Sequence, residues 1–340
     1  MRTLVLEQPG NLRLVDTPVP AAPGPGEALV KVRRIGICGT DIHAFGGKQP
    51  FFSYPRILGH ELGVEIAVLG ADETDLQVGD LCSVEPYLNC GKCVACRQGK
   101  TNCCAKLQVL GVHIDGGMRE HIIVPTRKLH RSKKLTLDQL ALVETLGIGC
   151  HAVDRARVEK GEWALVIGAG PIGLAVMQFA LEAGANVVVL DVNQARLDFC
   201  KKTLGVPYTI NAATEVALDR LRQLTSEELP TVVFDATGSP RSMNASFEYP
   251  AQGGRLVFVG LFQGDVTFND PNFHRRELTL LASRNARSPD FERIIRLIET
   301  GRIDTTPWIT HRAKFAEVMD IFGTWTRPEA GVIKAMISVD

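Results

Sequence analysis

A chain of 340 residues with 45% hydrophobic content has enough apolar material for more than one core, so two domains are expected. Lys plus Arg and Asp plus Glu both number 38; the formal charge is zero, and with no global field to hold a polyanion, nucleic acid is not an expected partner. The opening MRTLVLEQPG lacks an apolar core followed by a small-residue cleavage site, which argues for a cytoplasmic protein whose nine cysteines stay reduced or bind metal.

Up to about residue 147 the sequence is rich in Gly and Pro, with β-like runs such as Ala28 to Ile35 and Val64 to Leu69 and little helical periodicity. Cys38 lies in GICGTDIH and His60 in LGHE, two metal-capable residues flanked by glycines that let the backbone bend sharply around a centre. Further on, Cys90, Cys93, Cys96 and Cys104 are spaced C-x2-C-x2-C-x7-C, which suits one tetrahedral structural zinc. Four thiolates leave no open position for a substrate, so catalysis must lie elsewhere. They also leave net negative charge on the ion, which Lys92, Arg97, Lys100 and Lys106 are placed to offset. A disulfide cluster is the alternative, disfavoured by the cytoplasmic character, and Cys103 reads as a spare.

From Trp163 to about Ser283 the apolar strands WALVIGAG, NVVVLDV, TVVFDATG, GRLVFVG and ELTLLAS alternate with helix-like stretches, which predicts a parallel, doubly wound α/β sheet. Trp163 to Leu181 is long enough to imitate a membrane span, but its glycines and Pro171 fall where a buried strand would turn into a helix. Gly168, Gly170 and Gly173 form G-x-G-x-x-G between that strand and helix, and Asp191 follows about twenty residues on, which makes a dinucleotide fingerprint. The first glycine permits the tight turn, the second lets backbone approach a pyrophosphate, and the third lets helix pack on strand. Asp191 is expected to accept hydrogen bonds from the adenosine ribose and to repel a 2′-phosphate, favouring NAD over NADP; a helix cap is its alternative role. Arg196 lies nearby, to meet the ribose edge or soften that exclusion. Pro171 and Ile172 in the turn, and Thr237, Val259, Gly260 and Ser283 at the ends of later strands, complete the expected cofactor set. After Asn285 come a helical pattern, DFERIIRLIETG, and a closing strand, GVIKAMISV, expected to return to the first domain.

Together, Cys38, His60, the four-cysteine lobe and the glycine fingerprint resemble the zinc-containing medium-chain alcohol dehydrogenases, over the whole chain. The resemblance implies a GroES-like catalytic domain at 1–147 and 285–340, a Rossmann NAD-binding domain at 148–284, and a catalytic zinc in the cleft. It makes Cys38 and His60 the first two ligands and Glu144, in ALVETLGIGCHAV, the third. A glutamate there points to the polyol and threonine dehydrogenase branch, although that branch's Glu-Pro-Leu reads Glu144, Thr145, Leu146 in this chain. Glu61 is expected to alternate with water or substrate as fourth ligand, and Thr40 and His43 match the family's proton relay. Two zinc ions and one NAD per chain follow, with a homo-oligomer, dimer or tetramer, as the expected assembly.

Two segments, GICGTDIHAFGGKQPFFSYPRILGHE and GLFQGDVTFNDPNFHRRELTLLASRNA, look more narrowly like bacterial enzymes that oxidise the C5 hydroxyl of a hexonate, with L-galactonate and L-gulonate as candidate substrates. A sugar acid's carboxylate asks for a cation beside the zinc. Arg284 in SRNA is one candidate; Arg56 and Lys48, in the loop carrying Phe51, Phe52 and Tyr54, are others unless they are solvated surface charges. Neutral polyols and L-threonine are competing substrates. Met118 stands where relatives commonly have an aromatic, and His113 and His151 read as structural. A non-catalytic nucleotide-binding structural or regulatory protein is the rival class, and the intact Cys38, His60 and Glu144 set argues against it.

Overall fold

The computed structural model describes residues 1–49, 52–71 and 74–339. The chain divides into two compact units, Met1–Thr145 with Ala286–Asp340, and Leu146–Asn285. Both halves of the expected architecture are present: a β-rich unit and a doubly wound parallel sheet.

In the first unit, seven of the described strands form one sheet in the order Ile309–Lys314, Lys334–Ser338, Glu27–Ile37, Glu61–Leu69, Leu81–Val84 and Leu129–Arg131, with His121–Pro125 also pairing Glu27–Ile37, while Arg2–Gln8 pairs Asn11–Asp16 in a separate ribbon. Along EALVKVRRIGI the buried Ala28, Val30 and Val32 alternate with the partly exposed Lys31 and Arg33, the period of a strand with one face in the core. Register shifts at Leu29/Val30 and Val32/Arg34 bend the strand, and beyond them Ile35, Gly36 and Ile37 are all buried. There Gly36 lies opposite Glu61, while Met336 and Ala335 pair Gly36 and Ile37 from the other side. This register carries the following residue, Cys38, to the strand that begins at Glu61 and to the chain's C-terminal strand.

Residues 89–107 loop out between Tyr87–Leu88 and Gln108–Val109, whose antiparallel pairing closes a neck below the four cysteines. The helix Ser288–Glu299 buries Phe291, Ile294, Ile295 and Ile298, an apolar stripe of helical period. Phe291 stacks on His130 with ring centroids 4.9 Å apart and meets Tyr87 edge-on at 6.4 Å.

In the second unit, the described strands lie in the order Tyr208–Asn211, Asn186–Asp191, Trp163–Ile167, Val232–Asp235, Arg255–Phe258 and Thr279–Ala282, every pair parallel. The stretch that imitates a membrane span is the strand Trp163–Ile167 followed by the helix Pro171–Glu182, and no described helix is long and apolar enough to cross a membrane. It is continuously apolar because the central strand is covered on both faces.

One buried ionic cluster stands out in the first unit. Glu85 is fully buried, accepts hydrogen bonds from Ser288 Oγ at 2.6 Å and from His130 Nε2 at 3.1 Å, and pairs with Lys128 Nζ. Burial works against its charge, but the His130 hydrogen bond, the Lys128 charge and the Ser288 hydroxyl outweigh it and hold the carboxyl below its usual range. A carboxyl with a lowered native pKa stabilises the fold above its ordinary value of about 4.3 and loses that contribution as pH falls through the native value. Glu85→Gln is therefore expected to cost about 3 kcal/mol at neutral pH, as for a broken buried pair. In urea unfolding the gap from the parent should narrow as pH drops below about 4.3.

Candidate active site

The sulfur, nitrogen and oxygen ligand atoms of Cys38, His60 and Glu61 all lie within 4.8 Å of one another. A fully buried carboxylate, Asp41, ties the two segments together: Oδ2 accepts from the Cys38 N–H at 3.0 Å and Oδ1 from the Gly59 N–H at 3.3 Å. The same Oδ1 is 3.8 Å from His60 Nδ1, beyond hydrogen-bond reach, so Asp41 acts on the imidazole through its charge. Burial alone would disfavour charge on His60, yet Asp41, Cys38 and Glu144 together raise its pKa well above the usual histidine value. A pocket of acids that draws a proton onto an imidazole is one that a cation would fill. Thiolate, imidazole and carboxylate are the donor set that zinc takes.

The two glutamates are held differently. Both oxygens of Glu61 accept from Lys334 Nζ, at 2.6 and 2.7 Å, and the same ammonium donates to the Ile37 carbonyl at 3.2 Å. Lys334 and Glu61 are both buried, which leaves the pair's charges compensated. Glu144 falls outside the 4.8 Å group; it is buried too, and its Oε1 accepts a hydrogen bond from the Tyr87 hydroxyl. Burial pushes the Glu144 carboxyl up and does the same to the Tyr87 phenol, which is the donor between them.

On the helix Gly39–Phe45, which follows Cys38, Thr40 is partly buried and His43 is exposed. Arg56 donates to Ser53 Oγ at 2.8 Å and to Asp115 Oδ1 at 3.3 Å; Lys48 and Arg284 lie at the surface. Phe51 lies outside the described residues. Met118 is fully buried in the β core, and His113 Nδ1 accepts from the Val109 N–H at 3.1 Å as part of a turn.

In the lobe, Cys90, Cys93, Cys96 and Cys104 present four sulfurs within 4.8 Å of one another. Cys93 Sγ and Cys96 Sγ are 3.5 Å apart, far beyond a disulfide bond. Sulfurs around a tetrahedral zinc sit about 3.8 Å apart, so the spacing fits the ion. Backbone N–H groups of Ala105 and Cys96 bring the Cys93 thiol down to about 6, and those of Cys90 and Lys106 point at Cys104 Sγ from 3.2 and 3.3 Å. Lys92, Arg97, Lys100 and Lys106 are exposed around the lobe, and Cys103 is exposed beside Cys104.

The second unit builds the dinucleotide turn. Gly168 has φ +98°, a left-handed backbone, and a Cβ on Gly173 would lie 1.8 Å from the Gly168 carbonyl, so helix and turn touch backbone to backbone. Gly170 faces open space apart from Arg196, whose Nη1 is 3.8 Å from where a side chain there would begin. Asp191 ends its strand with Oδ2 accepting from Ala169 N–H at 2.7 Å and Oδ1 from Asn193 N–H at 2.8 Å. The cap of the next helix is Asn193, which accepts from Arg196 N–H at 3.3 Å. Pro171 and Ile172 open the helix after Gly170. Buried Asp235 organises three other expected contacts: its carboxylate takes Thr237 N–H and Oγ at 2.9 and 2.6 Å, and its carbonyl takes the Val259 and Gly260 N–H groups. Ser283 is buried after the edge strand, its N–H on the Phe258 carbonyl. The glycine turn, its open side and the fixed carboxylate suit a nicotinamide dinucleotide.

The amino-acid order alone does not point to Asp41, Tyr87, Lys334 or Asp235 as part of these sites. Asp41, three residues after Cys38, and Asp235, two before Thr237, carry a local signal. Tyr87 and Lys334 carry none, because their partners are 57 and 273 residues away.

Two outcomes test this geometry. Elemental analysis is expected to find two zinc ions per chain in the parent, and one in Cys38→Ala and in Cys96→Ala. Gly173→Ala is expected to lower the unfolding stability by more than about 1–3 kcal/mol, the usual cost of overpacking. It should also weaken NADH binding in a fluorescence titration.

A family model for the alcohol dehydrogenase GroES-like domain matches residues 24–134, and one for zinc-binding dehydrogenases matches residues 171–300. The chain is 42% identical over 338 residues, 99% of each sequence, to L-galactonate-5-dehydrogenase of Escherichia coli. It is 32% identical over 318 residues to 2-dehydro-3-deoxy-L-galactonate 5-dehydrogenase of Pseudoalteromonas atlantica, covering 93% of this chain and 92% of that one. A crystal structure from Escherichia coli, described as a short chain alcohol dehydrogenase complexed with cofactor NADH, matches with TM-score 0.92 and 28% identity, covering 100% of this chain and 99% of that one. With both domain models matched and the identity sustained end to end, the chain belongs to the zinc-binding dehydrogenases of the alcohol dehydrogenase type, oxidoreductases that act on a CH–OH group.

Proposed function

We propose that the protein is an NAD-linked dehydrogenase that oxidises the C5 hydroxyl of a hexonate, L-galactonate or L-gulonate, to a ketone. The observation that carries the reading is the grouping of Cys38, His60 and Glu61 behind Asp41, in a chain 42% identical to L-galactonate-5-dehydrogenase. Cys38 and His60, with a carboxylate from Glu144 or Glu61, would hold the catalytic ion. When bound, zinc supplies a Lewis acid that acidifies the substrate hydroxyl, and NAD supplies the hydride acceptor.

The chain's own groups handle the proton and the specificity. Thr40 takes the hydroxyl proton toward His43, whose exposure gives it an exit to water. Asp191, fixed by two backbone donors, favours NAD because a 2′-phosphate would meet its charge. One structural relative is complexed with NADH and another with NADP, so the preference for NAD rests on Asp191. Arg284, Arg56 and Lys48 are the candidate cations for the substrate carboxylate, and Arg56 also faces Asp115 at 3.3 Å. The edge strand Thr279–Ala282 exposes Leu280 and supports pairing with a second copy as a homo-oligomer. A cytoplasmic setting agrees with nine cysteines that, among the described residues, form no disulfide.

An initial-rate panel of L-galactonate, L-gulonate, sorbitol and L-threonine with NAD is expected to give the highest kcat/KM with a hexonate; faster turnover of sorbitol or threonine would end this assignment. Asp191→Ala is expected to erode the preference for NAD over NADP by about tenfold or more, measured as the ratio of kcat/KM values.

A further inference from the structure

We propose that Thr145 is a specificity-determining residue of the active site: its buried hydroxyl stands over the end of the sheet that carries Cys38 and His60, and binds a hydroxyl of the sugar-acid chain next to the carbon being oxidised. The proposal rests on the hexonate reading above and names one further contact within it.

Placement is the first observation. The helix Leu137–Ala156 begins along the sheet of the first unit and can be followed row by row. Asp138 Oδ1 accepts from Arg34 Nε at 2.9 Å, and Arg34 pairs Gly63, where an added Cβ would run into the Leu137 carbonyl. One turn on, Ala141 packs with Met336, which belongs to the row Met336, Gly36 and Glu61. Four helical residues advance about 6 Å and two strand residues about 6–7 Å, so helix and strands climb together. The next turn carries Thr145 over the following row: two residues from Gly36 and Met336 are Cys38 and Lys334, and one from Glu61 is His60. Glu144, beside Thr145, is near enough to His60, Glu61 and Lys334 to feel their charges.

The second observation is an idle group. Thr145 is 0% exposed and, among the described residues, its Oγ1 has no hydrogen-bond partner. A threonine inside a helix ordinarily returns its hydroxyl to a carbonyl three or four residues back, here Leu142 or Ala141. A buried hydroxyl that does not do so destabilises the chain until a partner arrives. The branch pattern Glu-Pro-Leu offers no hydroxyl at this position, so Glu144, Thr145, Leu146 adds one. A hydroxyl donates, accepts and carries no charge, which matches a neutral substrate hydroxyl and not the carboxylate, whose partner is a cation. The reacting hydroxyl belongs to the ion, which leaves a hydroxyl on an adjoining carbon.

The test compares zinc-loaded parent with Thr145→Val, which keeps the shape and the helix propensity and removes the hydroxyl. Thr145→Val is expected to lower kcat/KM for the hexonate about 5–10-fold, the worth of one neutral hydrogen bond. NADH affinity in a fluorescence titration should stay at the parent value. The urea midpoint should equal or exceed the parent's, because an idle buried hydroxyl is gone. Thr145→Ser, which retains a hydroxyl, should keep kcat/KM within about threefold of the parent. A Thr145→Val enzyme within about twofold of the parent in kcat/KM overturns the proposal and leaves water as the hydroxyl's partner. A Thr145→Val chain that unfolds at lower urea than the parent, or does not fold, also overturns it, because the hydroxyl then serves the fold. A parent that turns over sorbitol or L-threonine and no hexonate defeats the functional reading itself, a result distinct from hexonate turnover that Thr145→Val leaves unchanged.

Discussion

The strand Glu27–Ile37 lies between Glu61–Leu69 and Lys334–Ser338, and the register of those two pairings gathers Cys38, His60 and Glu61, the candidate metal ligands. Gly36 faces Glu61 on one side and Met336 on the other, so Cys38, His60, Glu61 and Lys334 converge from three distant stretches of chain. A shift of one residue would turn every side chain of a strand to the opposite face and scatter the ligands. The interior of the sheet, with Val30, Val32, Ile35, Leu62, Val64 and Ile337 fully or nearly fully buried, makes such a shift costly, so packing that looks purely structural holds the ligand geometry.

Placing the buried Asp41, Glu61 and Glu144 in one region beside Cys38 raises a problem of charge. An isolated carboxylate there is costly and is retained only when paired, hydrogen-bonded or bound to metal. Each acid meets that requirement separately. Asp41 takes two backbone N–H groups, Glu61 takes Lys334, and Glu144 takes Tyr87. The cluster nevertheless raises the His60 pKa well above its usual value, which marks a deficit of positive charge that a divalent ion would remove. The second unit solves a different problem with backbone instead of side chains. Its glycine turn leaves room and N–H groups for a phosphate, and Asp191 and Asp235 lock the loops on either side.

Much of this was legible in the amino-acid order because the relevant physics is local. The cysteine spacing follows from the reach of a short loop around one ion, and the glycine fingerprint from backbone conformations that other residues resist. Alternation of apolar strands with helical stretches told of the parallel sheet, and glycines with Pro171 separated a strand and helix from a membrane span. Asp191 illustrates the limit: its place after the second strand was readable, but that Asn193, not Asp191, caps the following helix appears only in the folded chain.

By itself the sequence determined the fold class, the lobe with its four sulfur donors, the dinucleotide turn and the family, since each rests on spacing within a few residues or on texture along a segment. Tertiary structure alone decided which group holds which acid: Lys334 on Glu61, Tyr87 on Glu144 and Arg56 on Asp115. Those choices depend on strand register and on distances across the core, and contacts between residues far apart in the chain leave no periodic trace in its order.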